Sequence, residues 1–571
     1  MTTVRRTYLY AISMVTLVVW TWGIGLLLQL LLQIAINSTS SYISVSPGFF
    51  GEQLSLGLAM IAISFPIWLI IWRTVHKHAR HDPSEKTAAL RKLYLNLILG
   101  ASSITALTTG IGVTQWLLSG AEIMSLPAGA LAALPVCLGV WYFHWRLESS
   151  DGQPCSRGRT LQRWYIYFVS AWALFTFARG FALTFSDALY SSSLWSGTIL
   201  GQGQFWDSHM TTAVASLFLG AIWWGFHWLY VARNDAGSTL RQVYLYIFTI
   251  FGGAVTALVA ITTTLYRLLG FLLGSQGLSW EPYFLFFSWT IPTMIIGIAA
   301  WIYHWHIVKR EAPITELPRS TTRRVYYYLL SGVGLGTVVS GLAIFIGLLI
   351  DLLLNVLGTT QILIYTSGWW RNPLALFIVM IIVGVPIWIY HWISVQRNIG
   401  KVGIIEQSSR SRRIYLYTVL CLSIIAFLTS LIYIIFRLLS GALQNTLDPG
   451  VFNDIKWSLQ AFIVACPLLI YHWNILRGDQ RAGSERSAQR KSFVAIVDQE
   501  NSTNLIPRLE KAIDLPIQML NPFITIEIRN SPPSNEEVTK LANEILEAKQ
   551  EKILIIAFGT EVSIFPYDSN T

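Results

Sequence analysis

Long apolar runs alternate with short polar connections through the first 476 residues of the chain. Each run is long enough to cross the hydrocarbon core of a bilayer, which takes about 20 apolar residues in a helix. The runs come in pairs, a long first helix and a second helix joined by a polar loop. This pattern predicts an all-α polytopic membrane protein with twelve transmembrane helices, arranged as six tandem helical hairpins.

Both ends of the predicted hairpin recur in the sequence, which is the signature of a repeat architecture. Each first helix opens with a basic residue and then a start tyrosine: Tyr8, Tyr94, Tyr165, Tyr244, Tyr326 and Tyr415. Each second helix closes at an end tryptophan: Trp72, Trp145, Trp228, Trp305, Trp392 and Trp473. The predicted hairpin repeats 1 to 6 cover residues 1–80, 88–150, 160–235, 240–311, 320–398 and 410–477.

After the hairpins the composition changes. Residues 478–491 are polar and basic and are predicted to form a juxtamembrane linker. Residues 492–571 hold six Lys/Arg against twelve Asp/Glu and follow a β-α-β-α-β-β pattern, with one strand expected at 523–529. They are predicted to fold as a small C-terminal α+β domain. Asp498 is interpreted as a turn residue, with a phosphoacceptor or metal ligand as the alternative.

The positive charge of the chain is concentrated on one side of the predicted topology. The net charge is +10, but the N-terminus and the five linkers between hairpins hold 24 Lys/Arg, and the six loops inside hairpins hold two. Basic connections stay in the cytoplasm during insertion. We therefore expect both termini in the cytoplasm, and the distribution argues against a nucleic-acid partner.

A His-Trp pair closes five of the six hairpins. The histidines are His144, His227, His304, His391 and His472. A tryptophan, a tyrosine and a basic residue at a helix end are typical of the membrane interface, so the start tyrosines and end tryptophans are interpreted as interface anchors. The alternatives are haem or pigment ligation by the histidines and a pH-sensing cluster. The four cysteines lack zinc spacing, and no cofactor or metal is predicted.

Few charges fall within the predicted spans. The residues of interest are Arg179, Arg267, Asp351 and Arg437. Arg267 and Arg437 lie near the outer ends of their helices and are expected to snorkel to water, with an anion site as the alternative. Arg179 lies nearer mid-depth, and its candidate partners are Asp187 and Asp207.

The basic-x-x-Tyr-x-Tyr start and the Trp-ended second helix resemble a bacterial family of tandem two-helix membrane domains of unknown function, over about residues 1–476. The resemblance implies a multi-pass protein of the bacterial plasma membrane and supplies no activity. The chain lacks H-E-x-x-H, G-x-S-x-G and Walker A motifs, so no catalytic residue is assigned.

The leading hypothesis is therefore a non-enzymatic integral membrane scaffold or sensor, or a subunit of a membrane complex. Its partners are the lipid bilayer and a cytoplasmic protein that binds residues 492–571. The alternatives are a channel or carrier for a weakly polar or lipid-like solute, and a haem- or pigment-binding membrane subunit.

Overall fold

The computed structural model describes residues 3–39, 48–152, 155–191, 206–236, 238–274, 283–311, 316–356, 368–402, 409–444, 450–487, 492–497, 499–513, 517–520, 535–547, 552–558 and 561–567. The chain divides into two compact units. The first unit comprises 1–397 with 426–464, and the second comprises 398–425 with 465–571.

Twelve helical spans in the described residues are long and apolar enough to cross a membrane, which confirms the predicted fold class. The helices of the hairpin region are α1 Thr3–Thr39, α2 Phe49–His81, α3 Pro83–Thr87, α4 Ala89–Leu118, α5 Ala128–Ser150, α6 Ser156–Tyr190, α7 Ser208–Trp224, α8 Thr239–Val243, α9 Gly252–Leu272, α10 Phe287–Glu311, α11 Glu316–Val356, α12 Arg371–Val402, α13 Arg410–Leu443 and α14 Gly450–Ser487. The end of a hairpin that holds both the start of its first helix and the end of its second is called its open end.

Two spans contain a π-helix. Helix α7 continues as the π-helix Gly225–Val231 and a 3₁₀ turn, Ala232–Asn234, while the π-helix Tyr244–Phe251 joins α8 to α9. A π-helix forms i→i+5 hydrogen bonds and therefore accommodates an extra residue within a span. Helix α14 runs on to Ser487, so most of the predicted juxtamembrane linker is helical.

Glycines let the two helices of a hairpin approach closely. A Cβ on Gly180 would lie 2.3 Å from the backbone nitrogen of Leu217, so α6 and α7 could not pack this way around alanine. In hairpin 5 the sequence suggests Gly332, Gly336 and Ser340 as the packing face. The structure corrects this choice, because a Cβ on Gly336 would meet nothing within 4 Å, whereas one on Gly334 would lie 2.6 Å from the nitrogen of Trp388.

Consecutive hairpins contact one another in chain order within the first unit. The indole of Trp223 in hairpin 3 donates to Ser103 Oγ in hairpin 2 at 2.9 Å. The indole of Trp228 donates to Tyr303 OH in hairpin 4 at 3.2 Å. Hairpins 2 to 5 share one cluster of buried residues, which includes Tyr165, Tyr244 and Tyr326.

The C-terminal region of the second unit is an α+β fold with the element order that the sequence predicts. Its elements are β1 Ser492–Val497, α15 Gln499–Ile513, β2 Ile517–Leu520, α16 Asn535–Glu547, β3 Lys552–Phe558 and β4 Glu561–Tyr567. The strand order is β2-β1-β3-β4, parallel except for β3 with β4. The second strand is Ile517–Leu520, whereas the predicted strand at 523–529 and Asp498 lie outside the described residues.

Both helices of this domain cover the same face of the sheet. Leu509 of α15 and Ala542 of α16 share one core with Ala495 and Ile555, which lie side by side on β1 and β3. The connection from β1 to β2 and the connection from β2 to β3 cross the sheet in opposite directions. Because both helices lie on the same face, the two crossover connections have opposite handedness. One of them therefore departs from the usual right-handed connection, and the opposite face of the sheet is left without a helix among the described residues.

Candidate functional site: the ion-paired open ends of the hairpins

Hairpin 2 is closed by two buried ion pairs at its open end. Arg91, three residues before the start tyrosine, donates from Nε to Asp151 Oδ2 at 2.6 Å and from Nη2 to Oδ1 at 3.0 Å. Lys92 Nζ donates to Glu148 Oε2 at 2.9 Å. Both side chains of the Arg91 pair are at most 3% exposed. The first turn of α4 is thus tied to the end of α5 by charge-assisted, partly bidentate hydrogen bonds.

The same clamp recurs in hairpins 3 and 4. Arg163 donates from Nη2 to Asp235 Oδ1 at 2.6 Å, and Arg241 donates from Nη2 to Glu311 Oε1 at 2.6 Å. Arg241 also donates from Nη1 to the carbonyl of Ala232 in hairpin 3 at 2.6 Å. One arginine therefore closes its own hairpin and holds the preceding one.

Hairpin 1 uses a carboxylate outside its second helix. Arg6 donates to both carboxylate oxygens of Glu85, from Nε at 2.8 Å and from Nη2 at 2.6 Å. Glu85 lies on the short helix α3, whose start is capped by Asp82. Burial raises the pKa of Glu85, but the hydrogen bonds and the positive charge of Arg6 lower it, and the pKa lies below its ordinary value.

A clamp of the same geometry is present among the described residues of the second unit. Arg412 donates from Nε to Asp479 Oδ2 at 2.6 Å and from Nη2 to Oδ1 at 3.2 Å. Asp479 follows the end tryptophan by six residues, as Asp151 and Glu311 do in their hairpins. In hairpin 5 this position is Asn398, an amide in place of a carboxylate.

The five histidines of the His-Trp pairs form the same hydrogen bond inside their own helices. Each Nδ1 lies 2.8 to 2.9 Å from the carbonyl oxygen four residues earlier. A carbonyl can only accept, so Nδ1 carries the proton and Nε2 is the acceptor of the neutral ring. In hairpins 2 and 3 the start tyrosine supplies the donor: Tyr94 OH lies 3.4 Å from His144 Nε2, and Tyr165 OH lies 3.0 Å from His227 Nε2.

A tryptophan of the preceding hairpin extends this chain. Trp141 Nε1 donates to Tyr165 OH at 3.1 Å, and Trp224 Nε1 donates to Tyr244 OH at 3.1 Å. The first chain runs from Trp141 through Tyr165 and His227 to the carbonyl of Trp223, so polar atoms are paired across two buried helix interfaces. Such connected networks help to specify one packing arrangement.

The predicted interface anchors occupy two environments. Five start tyrosines are buried, at 1% to 7% exposure, whereas Tyr8 is 63% exposed. Trp72, Trp228 and Trp392 are buried, and Trp473 is 53% exposed. The buried Tyr165, Tyr244 and Trp228 form hydrogen bonds with side chains of neighbouring hairpins. Their anchoring to lipid stays a prediction.

The predicted intramembrane charges differ in their partners. Asp351 forms an ion pair with Lys456, and Arg437 forms one with Asp454. The candidate partners of Arg179 are engaged elsewhere: Asp187 contacts His209 at 2.8 Å, and Asp207 caps α7. Arg179 and Arg267 are both exposed and form no ion pair with the residues that the structure describes.

Sequence reasoning missed both the carboxylates and the donor tryptophans, although each has a sequence signal. Asp151, Glu311 and Asp479 each follow an end tryptophan by six residues. The donors Trp141 and Trp224 open the motif Trp-x-aromatic-His-Trp at 141–145 and 224–228, and the same motif recurs at 301–305 and 388–392. Within the described part of the chain, no three His, Cys, Asp or Glu side chains converge as a metal-binding group.

Tandem helical hairpins with apolar spans define the protein as a multi-pass integral membrane protein of repeated domains. Comparison with protein families identifies the repeat: a domain of unknown function, DUF5671, matches residues 6–125, 192–282, 285–364 and 324–453. These matches cover more than half of the chain, which therefore belongs to the DUF5671 family. No curated protein and no solved structure matches the chain.

Proposed function

We propose that the protein is a non-enzymatic membrane scaffold that holds its C-terminal α+β domain at the cytoplasmic face of the bacterial plasma membrane, where the domain binds a protein partner. The observation that carries this proposal is the helix-free face of the β-sheet. Val494, Leu554 and Ile556 lie on that face and are half-buried, and Phe565 beside them is 50% exposed. Parallel strands are usually covered on both faces, so this apolar face suits a partner.

The buried ion pairs of the hairpins support a scaffolding role. The guanidinium groups of Arg91 and Arg241 are bound by carboxylates inside the protein. A buried pair of this kind strongly resists the loss of one partner, since an uncompensated charge would remain. These groups hold the open ends together.

The cytoplasmic placement of the termini is supported by the excess of Lys/Arg in the connections between hairpins. Cys155, exposed in the connection between hairpins 2 and 3, is a natural reporter of this orientation. In a variant that retains Cys155 alone, we expect a membrane-impermeant maleimide to label it only after cells are permeabilised. A matched variant with Glu122→Cys, in the loop of hairpin 2, should label in intact cells. Labelling of Cys155 in intact cells would show that the orientation is opposite to the proposed one.

The partner proposal is tested by photo-crosslinking of the full-length protein in native membranes. A crosslinking amino acid at Phe565 probes the helix-free face, and one at Met519 is its matched control, because Met519 is 49% exposed but shares the helix-covered side with Ala495. We expect one discrete protein adduct from position 565 and none from 519. Adducts of equal yield from both positions, or an adduct with a second copy of the chain alone, would contradict the proposal.

A further inference from the structure

An apolar groove of about 340 Å³ runs between the first helices of hairpins 2 and 3. Helix α4 contributes residues from Leu93 to Ile104, and α6 contributes Leu161, Trp164 and Phe168. Leu93 and Ile104 are eleven positions apart, which corresponds to about 16 Å at 1.5 Å per residue. That length matches one leaflet of a hydrocarbon core that is about 30 Å thick.

A basic residue, Arg157, lies on α6 between the groove-lining residues and the start of the helix. Arg157 precedes Leu161 by four residues and Trp164 by seven, so helical periodicity places it on the groove-lining face of α6. It is exposed and forms no ion pair with any residue that the structure describes. It also lies in the first turn of α6, where the helix dipole favours an anion.

A polar atom in the groove wall lacks a partner. Asn96 lines the groove and is 5% exposed, and its Nδ2 donates to the carbonyl of Lys92 at 2.8 Å. Its Oδ1 is buried and accepts no hydrogen bond from the described residues. Because an unfilled buried acceptor is unfavourable, this atom suits a donor such as a glycerol hydroxyl.

We propose that this groove binds one anionic phospholipid of the phosphatidylglycerol type, with an acyl chain along α4 and α6 and its phosphate at Arg157. The apolar walls recognise the chain, Arg157 recognises the phosphate, and Asn96 offers an acceptor to the head region. On the proposed topology the lipid belongs to the cytoplasmic leaflet, but binding itself does not depend on that orientation.

The test is native mass spectrometry of the full-length protein in detergent, titrated with phosphatidylglycerol or with phosphatidylcholine of identical chains. One Lys/Arg near an anionic lipid corresponds to about a fivefold change in affinity. We expect a single phosphatidylglycerol to bind about fivefold more tightly than phosphatidylcholine, and Arg157→Gln to abolish that preference. Arg159→Gln is the matched control, because Arg159 is also exposed but lies about 200° around the helix.

A second pair of variants distinguishes the binding of a whole lipid from the binding of a phosphate group alone. Ala101→Leu narrows the groove at an exposed residue and should weaken both lipids, whereas Ala299→Leu, at an exposed alanine outside the groove, should leave binding unchanged. Equal loss from Arg157→Gln and Arg159→Gln, or unchanged binding in Ala101→Leu, would overturn the proposal.

Discussion

Hairpins 2 and 3 build the same clamp from different spacings. In hairpin 2 the carboxylate of Asp151 follows the end tryptophan by six residues, while in hairpin 3 Asp235 follows Trp228 by seven. The π-helix Gly225–Val231 spans the extra residue. The arginine moves as well, from three residues before the start tyrosine in hairpin 2 to two residues before it in hairpin 3. The contact between arginine and carboxylate is preserved, and the helix geometry adapts to it.

The two clamps also differ in burial. The side chains of Arg91 and Asp151 are 1% and 3% exposed, against 32% and 24% for Arg163 and Asp235. Asp235 compensates with additional donors, Tyr167 OH at 2.8 Å and Ser238 Oγ at 2.6 Å. The carboxylate of Asp151 therefore depends more strongly on its arginine than the carboxylate of Asp235 does.

The largest expected effect is the loss of a carboxylate in hairpin 2. Asp151→Leu leaves Arg91 buried without its counter-charge and should lower the free energy of unfolding by about 3–5 kcal/mol. Arg91→Met with Asp151→Leu should recover most of that loss, and Asp235→Leu should cost less than Asp151→Leu because its pair is more exposed. Chemical denaturation in detergent micelles measures all three. Equal losses in hairpins 2 and 3 would contradict the difference in burial.

Deleting Tyr230 tests whether the π-helix accommodates one residue. The deletion gives hairpin 3 the six-residue spacing of hairpin 2 but keeps its arginine at 163, so the pair should misalign and the free energy of unfolding should fall by about 2 kcal/mol. In the deletion variant, exchanging the side chains at 162 and 163, through Gln162→Arg with Arg163→Gln, should recover the lost free energy of unfolding. Failure of the exchange to rescue the deletion would show that the spacing and the arginine position are unrelated.

The ion pair between Arg6 and Glu85 in hairpin 1 should make the stability of the protein depend on pH. Glu85→Gln removes the charge that Arg6 binds and should cost about 1.5 kcal/mol at neutral pH. Because the pKa of Glu85 lies below its ordinary value of 4.5, its ionised form stabilises the fold above that value. The contribution is lost as the pH falls through the lowered pKa. Thermal unfolding should therefore separate wild type from Glu85→Gln at pH 7 and bring the two together as the pH falls below the lowered pKa of Glu85, whereas a constant difference would refute the assignment.

The smallest effect is expected at the loop ends. Asp351 and Lys456 are 23% and 15% exposed, so Asp351→Asn should change the free energy of unfolding by no more than about 1 kcal/mol. The change should also shrink in high salt, since partly exposed pairs are screened. A loss as large as that of Asp151→Leu would mean that the two ends of the hairpins are equally stabilised by charge.

Many residues of the candidate site can be recognised in the sequence, but which residues contact each other cannot. The start tyrosines and histidines stand out because they recur, and interface chemistry explains them without any partner. The burial of Tyr165 against His227 and Trp141 depends on the packing of one hairpin on the next. In the tail, the element order is predictable from alternation, whereas the placement of both helices on one face is not.

The sequence by itself determined the twelve spans and their grouping in pairs, because apolar length and interface residues act locally and independently of neighbours. Only the tertiary structure decided which carboxylate meets which arginine, where a helix widens to keep that contact, and which face of the sheet stays open. These features depend on the relative positions of distant segments, and charge pairing in a buried environment selects those positions within a few ångströms.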